Sequence, residues 1–301
     1  MSSKFIKKFA KVYHPILQST LKPFTKISEI SQNQGSLSLS FLPYLPESCQ
    51  FYQVDSPMQD YTLLSYRPNP PFTYLVPGSL YSQLFPTDTM DVIYALQVFN
   101  QSFQLTPSSE HLIPSLSPSE FLSKILKNRQ KQDLARLLKH RHSELVQNGS
   151  LIFDLILKPT PSTTPYSWDC LDLAVKLASE KLPKEAKNIL NLHTVFRTPG
   201  QVNETLEEFK SMFSVEVADE HLIVFDEYQE FLKNGDFNVY YKALEEFWKG
   251  PVRAMMKRAL KAEETKVEDN VKAVFELFRE ICNDMKPKME QRLILVKLRK
   301  L

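Results

Sequence analysis

Glycine is scarce in this sequence, which has six glycines but 20 prolines among its 301 residues. Loops that bind nucleotides or phosphates depend on closely spaced glycines, because glycine lets a ligand approach the backbone. Residues 31–35 read SQNQG and contain one glycine, and the chain has neither a P-loop nor a Gly-x-Ser-x-Gly pattern. The absence of these two patterns excludes a P-loop phosphate site and a Gly-x-Ser-x-Gly nucleophile elbow. Composition alone favours an ordinary polar turn at residues 31–35.

Cysteine is also rare, and Cys49, Cys170 and Cys282 lie too far apart for a CxxC motif or a metal-ligand spacing. They are predicted to be reduced, structural residues. The histidines form no metal pair except HRH at residues 140–142, where a helix would turn the two rings to different faces. We therefore expect no metal site. The net charge of +2 is too balanced to indicate a nucleic-acid-binding face.

The first 28 residues form a basic segment that contains six lysines, no arginine and no acidic residue. Such a segment is typical either of an organelle-targeting helix or of a solvated helix that belongs to the folded protein, and both readings stay open. The longest apolar runs, such as SLIFDLIL, have the length of strands, and no secretory signal is visible. We expect an intracellular protein, cytoplasmic or mitochondrial, without a membrane span.

Hydrophobic periodicity predicts strands that alternate with helices. Over residues 26–157 this alternation predicts a mainly parallel sheet that is covered on both faces. Helices predicted at 168–205 and 236–284 are candidates for a cap over the end of the sheet where ligands bind. The other predicted helices lie at 3–20, 36–45 and 118–146, and the strands at 26–31, CQFYQVD, FTYLVPG, MDVIYALQVF, SLIFDLIL, FSVEVADEHLIVF (strand or hairpin) and RLILVKLRKL.

The helix predicted at 118–146 has an apolar side and ends at QNG, where Gly149 is predicted to follow Asn148 through a turn. Its apolar side is predicted to contain Phe121, Ile125, Leu134, Leu137, Leu138 and Leu145.

Two acidic residues lie at predicted strand ends, the position where parallel sheets bind ligands. Glu29 lies on the first strand just before SQNQG, and Asp55 closes the second strand. A carboxylate at the end of the second strand can accept hydrogen bonds from ribose hydroxyls. Asp55 also begins the turn DSPMQD, and spacing alone favours a role as a cap of that turn.

Four segments, taken in order, resemble sequence blocks of the SABATH family of S-adenosylmethionine-dependent carboxyl methyltransferases. QVDSPMQDYTLL is similar to the family's Asn-Asp-Leu-Pro block, and VPGSLYSQLFP to its Pro-Gly-Ser-Phe-Tyr-x-Arg-Leu-Phe-Pro block. DLARLLKHRHSELVQNG resembles the block that contains Arg-x-x-Glu-Leu, and NLHTVFRTPGQV faintly resembles a fourth. Together they cover most of residues 26–215.

The resemblance implies an α/β fold: a Rossmann-like, doubly wound mixed sheet of the class I methyltransferase type with a helical cap. It divides the chain into a basic amino-terminal helical segment and a core, which are followed by cap elements and a strand that returns to the core. The corresponding ranges are 1–25 for the segment, 26–160 for the core, 161–284 for the cap elements interleaved with late core strands, and 285–301 for the final strand.

The resemblance also implies residues that bind S-adenosylmethionine. Glu29 takes the place of the cofactor-binding aspartate, Asp55 that of the ribose-binding acid, and Ser79 that of the serine near the adenine. In the first loop Gly35 keeps one glycine, whereas Ser31 replaces another. The complete predicted cofactor set is Glu29, Gly35, Asp55, Ser56, Ser79 and Leu80.

On the acceptor side, the resemblance implies a small carboxylic acid as the substrate. Gln101 takes the place of a carboxylate-holding tryptophan and Asn100 that of a histidine, while Gln18 corresponds to an amino-terminal glutamine. A carboxylic acid is already ionised near neutral pH, so no catalytic base is expected and catalysis depends on positioning.

Two functions follow from the resemblance. The first is an active methyltransferase of a small carboxylic acid. The alternative is a pseudo-methyltransferase that serves as a structural or binding subunit of a larger complex, which the altered loop and the missing tryptophan favour. Family members are often dimers, so the resemblance also implies a homodimer or a protein complex, with no nucleic acid as a partner.

Overall fold

The computed structural model of the protein describes residues 3–22, 25–30, 45–46, 48–55, 73–96, 112–116, 119–182, 184–187, 190–192, 194–261 and 264–301. Both helices and strands occur along this part of the chain. The predicted helix at 36–45 lies outside the described residues. The elements are α1 (Ser3–Gln18), β1 (Lys26–Ile30), β2 (Gln50–Asp55), β3 (Thr73–Pro77), β4 (Met90–Ala95), α2 (Glu120–Glu144), β5 (Leu145–Ile156), α3 (Ser167–Ala178), α4 (Lys184–Lys187), α5 (Pro199–Glu208), β6 (Phe213–Val224), α6 (Asp226–Asn234), α7 (Phe237–Leu260), α8 (Glu264–Met285) and β7 (Glu290–Lys300).

The strands form one seven-stranded sheet in the order β3-β2-β1-β4-β5-β7-β6. The first five strands in this order are parallel, whereas β7 is antiparallel to both of its neighbours. Strand β6 therefore runs in the same direction as β5. The predicted doubly wound mixed sheet is confirmed. We call the edge where the parallel strands end the carboxyl edge, and the edge where they begin the amino edge.

Two apolar clusters cover the two faces of the sheet. Because side chains of a strand alternate between faces, Ile27 and Ile152 join one cluster, while Ile30 and Leu151 join the other. The first face packs against α1, α3, α7 and α8. The second packs against α2 and α5.

The junction of α2 and β5 differs from the sequence prediction. Helix α2 ends at Glu144 and β5 begins at the next residue, so QNG lies inside the strand rather than in a turn. Asn148, not Gly149, has the positive φ, of 63°. Pairing with β4 shifts register here, between Met90 and Val92. The irregularity is therefore a bulge.

The apolar side predicted for α2 is partly wrong. Leu134, Leu137 and Leu138 are buried as predicted, but Phe121 is 77% exposed. Phe121 lies in the first turn of the helix, which extends past the apolar cluster on that sheet face. Leu145 belongs to β5 rather than to the helix.

Helices α6, α7 and α8 form an insertion between β6 and β7. Val224, the last residue of β6, pairs with Glu290 at the start of β7. Because β6 runs parallel to β5, this insertion leaves the sheet at the carboxyl edge. The predicted cap at this edge and the domain boundaries remain predictions. No helix within the described ranges is long and apolar enough to cross a membrane.

Candidate functional site

Three predicted site residues lie at the carboxyl edge of three adjacent strands. Glu29 is the penultimate residue of β1 and Asp55 is the last residue of β2. Asp55 pairs with Pro77, the last residue of β3, and Ser79 follows two residues later. The order β3-β2-β1 therefore brings these positions together at one edge, where parallel sheets bind ligands.

A row of buried polar side chains lies just inside this edge. Glu29 pairs in register with Gln53 of β2 and with Tyr94 of β4. Side chains that are directly opposite in neighbouring parallel strands share a face, so the three lie side by side on the α1 face of the sheet. All three are at most 1% exposed. Glu29 is thus a buried acid, two positions from the pair formed by Asp55 and Pro77.

Gln53 is a site residue that the sequence prediction missed. Among the residues that the structure describes, neither its Nε2 nor its Oε1 has a hydrogen-bond partner. An unsatisfied buried amide costs about 1–3 kcal/mol, and natural cores contain few of them. The signal in the sequence is a glutamine inside the apolar strand QFYQVD, on the same face as Phe51.

The segment after β3 forms a compact turn that presents Ser79. The carbonyl oxygen of Ser79 accepts hydrogen bonds from the backbone N–H of Ser82 at 3.0 Å and from its Oγ at 2.8 Å. The N–H of Tyr81 donates to Ser79 Oγ at 3.3 Å. Ser79 is exposed, whereas the neighbouring Leu80 is buried against the α2 face of the sheet. A hydroxyl and an apolar side chain are thus adjacent at the edge.

A second charged group lies at the carboxyl end of β5. The N–H of Arg197 donates to the carbonyl of Ile156 at 3.0 Å, and burial lowers the pKa of this guanidinium to about 10. Arg197 therefore stays protonated at neutral pH. Asp133 and Tyr81 interact with it electrostatically, and burial raises the pKa of Tyr81. The sequence prediction missed Arg197, although it lies in the block NLHTVFRTPGQV.

Gln18 is not brought together with the other predicted residues. It is the last residue of α1 and is exposed. The following Ser19 and Thr20 line a cleft at the amino edge together with Thr25 and Gly149. Gln18 therefore lies at the edge opposite to Glu29. The other predicted residues, Gly35, Ser56, Asn100 and Gln101, lie outside the described part of the chain.

A family model described as SAM dependent carboxyl methyltransferase matches residues 48–301. Over 242 residues the chain is 22% identical to "Methyltransferase FUS9" of Gibberella fujikuroi, a match that covers 68% of this chain and 66% of that protein. Over 175 residues it is 25% identical to "S-adenosyl-L-methionine:benzoic acid/salicylic acid carboxyl methyltransferase 3" of Petunia hybrida, covering 54% and 48%. The chain thus spans about two thirds of the length of the first relative and about half that of the second.

Among solved structures, "Loganic acid methyltransferase with SAH" is similar to this protein with a TM-score of 0.73. The alignment covers 98% of this chain and 94% of that chain at 13% sequence identity. At this identity the likeness shows a common fold. The order and directions of the strands described above are therefore those of a known methyltransferase architecture.

Proposed function

The chain belongs to the family of SAM dependent carboxyl methyltransferases, and on that premise we propose that it binds S-adenosylmethionine at the carboxyl edge of the sheet and methylates the carboxylate of a small organic acid. The observation that carries this proposal is the placement of Glu29, Asp55 and Ser79 at the ends of three adjacent parallel strands. Acids of the kind named for its relatives, such as benzoic, salicylic and loganic acid, are the proposed acceptor class.

The residues at this edge fit the chemistry of the cofactor. We assign Asp55 to accept hydrogen bonds from ribose hydroxyls, because a carboxylate at the end of the second strand has this role in dinucleotide-binding sheets. The exposed Ser79 hydroxyl and the adjoining Leu80 suit a purine, which needs both polar and apolar contacts. Glu29 is buried, so we assign it to supporting the cofactor-binding edge from within the sheet.

The chemistry requires positioning from the protein rather than proton transfer. S-adenosylmethionine supplies an electrophilic methyl group on a sulfonium sulfur, which a carboxylate oxygen accepts. Since carboxylic acids are ionised near neutral pH, the protein needs no general base. It binds and orients the two reactants, and favourable orientation contributes up to about 7–11 kcal/mol.

Residues outside the described ranges enter the proposal through the family resemblance alone. Gly35 and Ser56 belong to the cofactor side, and Asn100 and Gln101 to the acceptor side. Gln18 is not included, because it lies near the amino edge. A homodimer and an intracellular location, cytoplasmic or mitochondrial, are parts of the same proposal. Within the described residues nothing favours the alternative of a subunit without turnover.

Isothermal titration with S-adenosylmethionine and S-adenosylhomocysteine tests this proposal. We expect both to bind, and we expect Asp55→Ala to weaken binding by about tenfold or more, because hydrogen bonds to a charged group contribute about 1.5–3 kcal/mol. Asp91→Ala is the matched control, since the Asp91 carboxylate accepts a hydrogen bond from the N–H of Lys26 at 2.8 Å at the amino edge. No binding at millimolar cofactor would contradict the proposal.

A further inference from the structure

Two buried residues of α2, Arg141 and Glu144, hold the segment that follows β3. We infer that they are positioning residues for the cofactor: they fix the backbone of residues 78–86 in the shape that presents Ser79 and Leu80. This inference rests on the proposed function, because it takes S-adenosylmethionine as the ligand of this edge. It assigns a role to an ion pair that lies more than 50 residues away in sequence from the turn it contacts.

Arg141 bonds to two backbone carbonyls of this segment. Its Nη1 donates to the carbonyl of Leu80 at 3.2 Å, and its Nη2 donates to the carbonyl of Ser82 at 2.7 Å. Nη2 also donates to Glu144 Oε1 at 2.7 Å. The planar guanidinium, with several donors in fixed directions, is suited to hold several acceptors at once. The two carbonyls flank Tyr81, so Arg141 determines the path of the turn immediately after Ser79.

Glu144 bonds to the opposite groups of the same segment. Its Oε1 accepts hydrogen bonds from the backbone N–H of Leu84 at 2.5 Å and of Phe85 at 3.4 Å. Among the described residues, the hydrogen bonds from this pair to the segment thus go to backbone groups, two carbonyls from Arg141 and two N–H groups from Glu144. A loop that binds a ligand needs a backbone that is fixed before binding, because its groups must already point toward the ligand.

Gly78 shows how closely the segment is folded on itself. A Cβ atom built at this position would lie 2.4 Å from Leu84 Cδ2, so the end of the Leu84 side chain would have to move to accept it. Leu84 is also the residue whose N–H is held by Glu144. The side chain of Leu84 therefore closes over Gly78 while its backbone is fixed from α2. Residues before and after Ser79 are constrained together.

Burial makes this pair sensitive to substitution. Both side chains are 0% exposed. Burial lowers the pKa of Arg141, and the neighbouring Glu144 opposes that shift. Removal of either partner of a buried ion pair leaves an uncompensated charge. A test therefore needs a variant that keeps the charge and a second variant outside the pair.

The chain just beyond this segment, at Asp88, offers a matched control. Lys300, also buried, donates from Nζ to Asp88 Oδ1 at 2.6 Å and to the carbonyl of Leu145 at 2.7 Å. It therefore holds one carboxylate and one carbonyl at the amino edge, where Arg141 holds one carboxylate and two carbonyls near the carboxyl edge. Lys300→Met removes a comparable set of contacts without touching residues 78–86.

The experiment is isothermal titration of the full chain with S-adenosylhomocysteine and with adenosine, below the unfolding temperature of every variant. Arg141→Lys keeps the charge but replaces the planar fork with a single ammonium. We expect it to weaken both ligands by the same factor, about tenfold, because both carry the adenine. Gly78→Ala is expected to weaken both by a few-fold. Lys300→Met is expected to lower the melting temperature and to leave both affinities within about twofold.

Each outcome decides one claim. If the unaltered protein binds neither ligand, both the proposed function and this inference are wrong. If it binds and Arg141→Lys and Gly78→Ala bind equally well, only the inference is wrong. Should Arg141→Lys not fold, Gly78→Ala decides alone. Equal weakening by Lys300→Met would also overturn the inference, because it would indicate general destabilisation, and so would weakening of S-adenosylhomocysteine without adenosine.

Discussion

Several polar residues near the carboxyl edge are almost completely buried. Gln53, Glu29 and Tyr94 lie in one row across β2, β1 and β4, and none is more than 1% exposed. Ordinary cores avoid such groups, because a polar atom taken from water must regain its hydrogen bonds. Their retention next to a strand end is typical of functional sites, where local rules are broken for a purpose.

Gln53→Met tests the cost of one of these groups. Methionine has a similar length and adapts its shape to the site, while the buried amide without a described partner disappears. We expect the free energy of unfolding to rise by about 1 kcal/mol or more. Urea denaturation followed by circular dichroism measures it. A fall of the same size would show that the amide has a partner in the folded protein.

The sequence predicts the residues at the strand ends but not the residues that lie beside them in the sheet. Periodicity and the strand ends suffice to place Glu29 and Asp55, because the carboxyl ends of parallel strands share an edge. The row through Gln53 depends on which strands are adjacent, a property that local pattern does not contain. Arg197 interacts electrostatically with Tyr81 across more than 100 residues of chain, so no local spacing predicts that interaction either.

The helices and strands agree best with the sequence prediction where the hydrophobic periodicity of the sequence is strong. Strands β1, β2, β3 and β4 lie within their predicted runs, and α7 falls inside the helical segment predicted at 236–284. The prediction fails at the junction of α2 and β5, because Asn and Gly usually indicate a turn, whereas here they form a bulge against β4. Tertiary pairing overrides the local turn preference at this point.

Gly149→Ala tests this bulge at the scale of the element. A Cβ at Gly149 would lie 2.9 Å from the carbonyl oxygen of Val146 and 3.1 Å from that of Asp91. Both are backbone atoms that cannot turn aside, so we expect a loss of about 1–3 kcal/mol in the free energy of unfolding. Chemical denaturation measures the loss.

Gly200→Ala provides the matched control of opposite sign. A Cβ built at Gly200, in the first turn of α5, would make only an ordinary contact with Thr198 Oγ1 at 3.9 Å among the described residues outside its own helix backbone. Alanine in a helix is more favourable than glycine by up to about 0.5–1 kcal/mol, so this variant is expected to be at least as stable as the unaltered protein. If Gly149→Ala is as stable as the unaltered protein, the bulge is not as closely packed against β4 as described.

At the scale of the whole molecule, topology joins segments that are distant in sequence. Strand β1 lies between β2 and β4, and the last strand, β7, inserts between β5 and β6. The carboxyl edge therefore collects residues from along the chain, and the insertion of α6, α7 and α8 leaves from the same edge. This arrangement is what the methyltransferase proposal requires: a rigid sheet with its functional groups at one edge.

The most direct measurement is transfer of a tritium-labelled methyl group from S-adenosylmethionine to a panel that includes benzoate, salicylate and loganate. The account predicts an extractable labelled product that mild alkali converts to volatile methanol, as a methyl ester requires, and predicts its loss in Asp55→Ala. A product whose label resists alkali would contradict methylation at a carboxylate. Absence of transfer to every acid of the panel would contradict the proposed acceptor class.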